Sequence, residues 1–140
     1  MRKQLQLLLA ASLSGCVAAT PQADGGQRVN PVPISLALEE IVTTGIRQHL
    51  QNPSSARFGA MLAGERTLNG RREIVVCGYV NAGNPSDAYD GDKPFAARIY
   101  SDAGGGFELV AIGDGPADVN LVNGTCRAAG LPISAPKAHL

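Results

Sequence analysis

The sequence predicts an α+β domain: a small antiparallel sheet of about four strands, with an N-terminal and a C-terminal helix packed on one face of it. Three observations support this fold class. An amphipathic helical pattern covers residues 35–51, a block of short strand-like runs with turn signals covers 57–112, and a second helical pattern covers 116–129. The sequence therefore predicts a single domain with one hydrophobic core.

The first helix begins at Ser35, whose hydroxyl can cap it, and ends before Asn52-Pro53. Its apolar stripe has the three-to-four residue spacing of a buried helix face. The stripe consists of Leu38, Ile41, Val42, Gly45, Ile46 and, at its edge, His49. We expect His49 to be a partly buried packing residue rather than a ligand.

The strand block contains four runs joined by polar turns. Asn69-Gly70 is a strong signal for a two-residue hairpin between the first two runs. The second run is apolar almost throughout, which indicates a central strand buried on both faces. A polar loop, 82–93, follows it. The predicted strands are 57–68, 72–81, 94–101 and 107–112.

The second helix is predicted from Pro116, which suits a first turn, to the stop signal Gly130 and Pro132. Val119, Val122, Cys126 and Ala129 share one stripe. Gly124 costs the helix about 1 kcal/mol relative to alanine.

Composition excludes several classes of protein. The chain has 140 residues, of which 44% are hydrophobic, and a formal net charge of +0. That hydrophobic content is too high for an intrinsically disordered chain. The balanced charge gives no indication of nucleic-acid binding, which requires a basic excess.

The N-terminus carries a processing signal. Arg2 and Lys3 precede an apolar stretch from Leu5 to Leu13 that is too short to span a membrane. Leu13-Ser14-Gly15-Cys16 resembles the lipobox of bacterial lipoproteins. The resemblance implies that residues 1–15 are a signal peptide and that Cys16 becomes lipid-modified. The alternative is an ordinary secretory signal with an incidental cysteine.

The lipobox resemblance also implies a location and an organisation. Several acyl chains on Cys16 would anchor the protein firmly in a membrane. Because Val17 and not aspartate follows the cysteine, the resemblance favours the outer membrane, with the domain on its periplasmic face. We expect residues 16–34 to be the lipidated cysteine and a flexible tether, 35–133 the domain, and 134–140 a tail.

Two cysteines remain, Cys77 and Cys126. In the oxidising compartment that the lipobox implies, we expect them to form a disulfide that joins the C-terminal helix to the central strand. A redox pair is less well supported, because the sequence has no Cys-x-x-Cys motif. Neither His49 nor His139 has zinc-ligand spacing from a cysteine, so we expect no metal and no cofactor.

One further resemblance concerns the loop. Residues 77–95 contain Cys-Gly-Tyr-Val-Asn-Ala-Gly-Asn, then Tyr-Asp-Gly-Asp-Lys-Pro-Phe. They resemble a signature of small proteobacterial envelope proteins, in which a Pro-x-Ser-Ala-x-Phe element often comes first; here residues 53–58 match that element. Asp87 and Ala88 replace a glycine pair of the signature. The resemblance implies no particular activity.

The loop itself is a candidate binding site, because connections of this length are more often functional or mobile than short hairpin turns. Its asparagines favour turn geometry, its glycine suits a positive φ, and its tyrosine offers an apolar ring with a polar tip. The candidate partner-binding residues are Asn81, Asn84, Tyr89, Gly91 and Phe95. The alternative is a structural loop in which Tyr89 and Phe95 pack into the core.

Catalytic and calcium-binding patterns are not supported. Asp87, Asp90 and Asp92 lack the spacing of an EF-hand loop. A triad of Ser54 or Ser55 with His49 would need geometry that a sequence does not supply.

The sequence therefore predicts a non-catalytic envelope lipoprotein that binds a periplasmic or surface protein through its loop. The alternatives are an inhibitor of a cell-wall hydrolase such as lysozyme and, with less support, a small envelope enzyme.

Overall fold

A computed structural model describes residues 28–83, 91–101 and 106–133. It confirms the α+β class: a single antiparallel sheet in the order β1-β2-β3-β4-β5, with two helices. The elements are β1 (Asn30–Val32), α1 (Leu36–Arg47), a short 3-10 helix (Pro53–Ser55), β2 (Arg57–Leu68), β3 (Arg71–Asn81), β4 (Lys93–Tyr100), β5 (Gly106–Ile112) and α2 (Pro116–Ala129).

The sheet has five strands where the sequence predicts about four. The additional strand, β1, lies in the range 16–34 that we assigned to the tether, so ordered structure begins before residue 35. It pairs with Ala63–Glu65 of β2. The N–H of Val29 also donates to the carbonyl of Ala129, over 3.1 Å. β1 is an edge strand, where proline is tolerated, and this is why the proline-rich sequence concealed it.

The helices lie on opposite faces of the sheet, which corrects the prediction that both cover one face. Two separate apolar clusters show this. The α1 cluster includes Leu38, Val42, Ile46, Val76, Val80, Phe95 and Ile99. The α2 cluster includes Val75, Cys77, Ala96, Ala111, Val122, Cys126 and Ala129. Because side chains alternate along a strand, β3 contributes to both clusters, as predicted for a central strand.

A disulfide joins Cys77 of β3 to Cys126 of α2, with their Cα atoms 6.1 Å apart. Both cysteines are buried. The predicted link between the C-terminal helix and the central strand is therefore confirmed.

The helix ends follow the local signals, with one correction. Ser35 caps α1: its hydroxyl oxygen accepts from the N–H of Leu38, over 3.1 Å. Gly130 ends α2 in the left-handed conformation. However, α1 ends at Arg47, so His49 lies beyond it and is exposed, where we predicted partial burial on the helix stripe. The His49 ring lies near the Phe107 ring, with 6.4 Å between the ring centroids.

Two helix glycines provide a matched test of packing. A Cβ at Gly45 would lie 2.5 Å from ring carbons of Phe107, whereas a Cβ at Gly124 would have no atom within 4 Å. Alanine gains about 1 kcal/mol of helix propensity at either position. We expect Gly124→Ala to stabilise the domain. The Gly45→Ala variant should be less stable than the Gly124→Ala variant by about 1–3 kcal/mol, because its new Cβ clashes with Phe107. Urea unfolding of both variants measures this difference; equal stabilities would contradict close packing at Gly45.

Within the described residues, neither helix is long and apolar enough to cross a membrane.

Candidate functional site

The candidate site lies at one end of the sheet, which we call the loop end. Here the chain leaves β3 at Asn81 and enters β4 at Lys93. The residues after α1, the 3-10 helix and the β5–α2 turn lie at the same end. The β2–β3 turn at Asn69-Gly70 lies at the opposite end, which we call the hairpin end.

The two sequence motifs, residues 53–58 and residues 77–95, are in contact at the loop end. The N–H of Gly83 donates to the hydroxyl oxygen of Ser55 over 3.0 Å, and that hydroxyl donates to the carbonyl of Asn52 over 2.9 Å. The rings of Phe58 and Phe95, one from each motif, make an edge-to-face contact with centroids 6.2 Å apart. The two motifs are therefore in contact at the loop end, where the chain arrives at Gly83.

Not all of the predicted site residues fall within the described residues. Cys16, Asn84 and Tyr89 lie outside them. Asn81 ends β3 opposite Arg57, and its buried side-chain oxygen has no hydrogen-bond partner among the described residues. Gly91 has a φ of 95°, which confirms the predicted positive-φ turn.

Phe95 belongs to the core and not to a surface. Its side chain is fully buried in the α1 cluster. A Cβ at Gly78 would lie 2.8 Å from the Phe95 ring, so the glycine provides space for the ring. For Phe95 the structure therefore agrees with the alternative in which this residue packs into the core, and a partner cannot reach it.

A polar cleft of about 290 Å³ opens at the loop end; we call it the Lys93 cleft. Lys93 and Asp114 form an ion pair beside it, with 2.6 Å between Nζ and Oδ1. The N–H of Gly113 donates to the carbonyl of Pro94, over 2.7 Å, and holds the Asp114 turn against β4. Other residues of the cleft are His49, Leu50, Gln51 and Gly83. No sequence signal pairs Lys93 with Asp114, since 21 residues separate them.

The Lys93 cleft offers recognition groups more than reactive ones. The Ser55 hydroxyl is already engaged with the backbone of Gly83 and Asn52. In the described ranges, no hydrogen bond joins His49 to Ser54 or Ser55. The same ranges contain no group of three or more His, Cys, Asp or Glu side chains that could hold a metal ion.

A second cleft, the Tyr79 groove, lies on the α2 face of β2 and β3. Its volume is about 370 Å³. It is formed by Gly59, Ala60, Leu62, Tyr79, Asp92 and the Pro132–Ile133 segment. Burial raises the pKa of the Tyr79 phenol, and the negative charge of Asp92 raises it further. The phenol therefore stays neutral at physiological pH and can both donate and accept a hydrogen bond.

A third hollow, of about 440 Å³, lies between α2 and the hairpin end. Arg66 and Arg98 line it, but both guanidinium groups are paired. Arg66 contacts the buried Glu73, with 2.5 Å between Nε and Oε1, and Arg98 contacts Glu108 over 3.3 Å. Because carboxylates already neutralise these cations, the hollow is a weaker candidate for anion binding than its arginines suggest.

The Ser55 contact can be tested by substitution. Ser55→Ala leaves the buried Gly83 N–H without its acceptor and is expected to destabilise the domain by about 1–3 kcal/mol. Ser54→Ala is the matched control: Ser54 is exposed, and its hydroxyl makes a long contact, 3.4 Å, with Asn52 Oδ1. We expect its effect to stay within about 0.5 kcal/mol. Thermal unfolding compares the two, and equal melting temperatures would contradict a structural role for Ser55.

Comparisons of the chain with protein-family models, with curated proteins and with solved structures find no significant match.

Proposed function

We propose that this chain is a non-catalytic lipoprotein of the bacterial envelope. Lipid on Cys16 anchors it to the outer membrane, and its domain stands on the periplasmic face and binds another envelope protein at the loop end. The lipobox supports the anchor. The disulfide fits an oxidising compartment.

The observation that carries the binding proposal is the set of contacts that hold the chain on both sides of residues 84–90 at the loop end. The chain enters the 84–90 segment from Gly83, which Ser55 holds, and leaves it towards Lys93, which Asp114 holds. A segment with both ends fixed loses less conformational entropy when a partner binds it. One helix packs on each face of the sheet, α1 on one and α2 on the other.

The direction of β1 is compatible with a binding site at the loop end. Asn30 lies opposite Glu65, and Val32 lies opposite Ala63, so β1 runs from the hairpin side towards the loop end. A tether that leads into Asn30 therefore attaches on the hairpin side. The loop end then lies away from the side on which the chain enters β1.

Photo-crosslinking in cells of the native host tests the proposal. A benzophenone side chain replaces Tyr89 in one lipidated full-length chain, Gln51 in a second, and Thr67 near the hairpin end in a control. Gln51 and Thr67 are both exposed. We expect one envelope protein to be captured from the two loop-end positions and not from Thr67.

A second variant separates recognition from folding. Tyr89→Ala in the Gln51 crosslinking chain should reduce capture at least about tenfold. The melting temperature should not change. No capture at either loop-end position, with the protein folded and in the outer membrane, would overturn the proposal. Equal capture at Thr67 would also overturn it.

A further inference from the structure

The chain leaves α2 in a fixed direction and runs into the Tyr79 groove. Gly130 turns the backbone in the left-handed conformation, and the N–H of Leu131 donates to a carbonyl in the last turn of α2 over 2.8 Å. The Leu131 side chain is buried, and Ile133 packs against the α2 cluster. Pro132 and Ile133 then form a wall of the groove. Residues 134–140 therefore follow from a point inside the groove.

The floor of the Tyr79 groove is apolar and is partly open to solvent within the described residues. Leu62 is 43% exposed, although it lies in the middle of β2. Gly59 and Ala60 have small side chains and lie beside Tyr79: a Cβ at Gly59 would lie 3.4 Å from the Tyr79 Cβ. A segment that packs on this floor would remove apolar surface from water and so gain free energy.

The residues that follow the groove wall have a pattern that matches this floor. Their sequence is Ser-Ala-Pro-Lys-Ala-His-Leu. In an extended chain, alternate side chains lie on the same side. From position 136 the apolar and polar residues then fall on opposite sides: Pro136, Ala138 and Leu140 against Lys137 and His139. One side of the segment can pack on the floor while the other side stays in water.

The segment is also long enough and close enough to cover the floor. Its seven residues span about 23 Å when extended, whereas the floor from Gly59 to Leu62 spans about 10 Å. Because Ile133 already lies in the groove wall, binding of the next residues is intramolecular. The effective concentration of such a segment is on the order of millimolar, so a modest apolar contact is enough to hold it.

From these observations we infer that residues 134–140 lie along the Tyr79 groove, with their apolar side packed on Leu62 and Ala60. Lys137 and His139 face the solvent. The chain then closes this groove itself, and any molecule that binds there must first displace the segment. This inference does not depend on the proposed partner, because it concerns contacts within one chain.

A tryptophan at position 62 reports whether the segment covers the floor. The chain has no tryptophan of its own, so Leu62→Trp supplies the only indole, and acrylamide quenches its fluorescence where solvent reaches it. We expect deletion of residues 134–140 from the purified Leu62→Trp chain to increase quenching at least about threefold. Circular dichroism verifies that both forms are folded.

Leu121→Trp is the matched reporter. Leu121 is 50% exposed and lines the hollow between α2 and the hairpin end, not the Tyr79 groove. The same deletion should therefore leave the quenching of this reporter within about 20%.

Two variants of the Leu62→Trp chain test which side of the segment packs. Serine replaces the apolar side in one and the polar side in the other: Pro136, Ala138 and Leu140 in the first, Lys137 and His139 in the second. The first should be quenched as strongly as the deletion, and the second as weakly as the complete segment. Dilution of the protein by about tenfold should not change quenching, because the contact is intramolecular.

Photo-crosslinking gives a second measurement with the groove unchanged. A benzophenone side chain at Ala138 should crosslink within its own chain to residues 59–62 or to Tyr79, as located by mass spectrometry. Four results would overturn the inference: no rise in Leu62→Trp quenching on deletion, an equal rise for Leu121→Trp, crosslinks outside the groove, or protection that dilution removes. Capture of a partner from Tyr89 and Gln51 in cells is a separate result, so the proposed function can fail or stand independently.

Discussion

Replacing Cys77 and Cys126 with alanine is expected to lower the free energy of unfolding by about 4 kcal/mol. The disulfide closes a loop with a sequence separation of 49 residues, and opening it gives the unfolded chain more conformations. Small domains have a total stability of about 5–15 kcal/mol, so the loss is a large share. Urea unfolding followed by circular dichroism measures it.

Reduction of the unchanged protein is the control. With a strong reductant present, its unfolding midpoint should fall to nearly that of the double variant. The midpoint of the double variant itself should not move on reduction. If unchanged protein in oxidising buffer unfolds at the same urea concentration as the double variant, the disulfide contributes no stability, and the expectation is contradicted.

Phe95→Ala is expected to cost about 3–5 kcal/mol, the range for removing a large aromatic side chain from a close-packed core. Phe95 is fully buried, and its ring contacts Phe58 edge to face. The change would leave a cavity in the α1 cluster. Calorimetric melting of the variant against the unchanged protein measures the loss.

Leu36→Ala controls for the removal of an apolar side chain as such. Leu36 begins α1 and is 86% exposed, so its truncation should change stability by no more than about 0.5 kcal/mol. If Phe95→Ala melts at the same temperature as Leu36→Ala, then the ring does not support the core. Its place in the candidate binding set would then need to be reconsidered.

Local signals in the sequence predict much of this fold. Asn69-Gly70 predicts the β2–β3 hairpin because both of its residues adopt positive φ, which are 52° and 77° in the structure. The strand β2 and the helix α2 have the predicted boundaries. Each of these features depends on contacts within a few residues, where side-chain type acts directly on the backbone.

The candidate site was only partly predictable for the same physical reason. The two motifs indicate where the site lies, and the glycine at position 91 predicts the positive φ that the structure has there. The ion pair of Lys93 with Asp114 and the contact of Ser55 with Gly83 join residues that are 21 and 28 positions apart. Such contacts depend on how the strands pair, and a single sequence contains no local signal for them.

The sequence by itself determined both helices, four of the five strands and the cysteine pair, since composition and short-range spacing control these. The processing signal and the envelope location stay predictions. Only the tertiary structure decided which face each helix covers. Apolar stripes on α1 and α2 show that both helices pack, but β3 is apolar on both faces and accepts a helix on either. Tertiary pairing also made Asn30–Val32 a strand, because the edge of β2 supplies hydrogen bonds that this proline-rich segment cannot form alone.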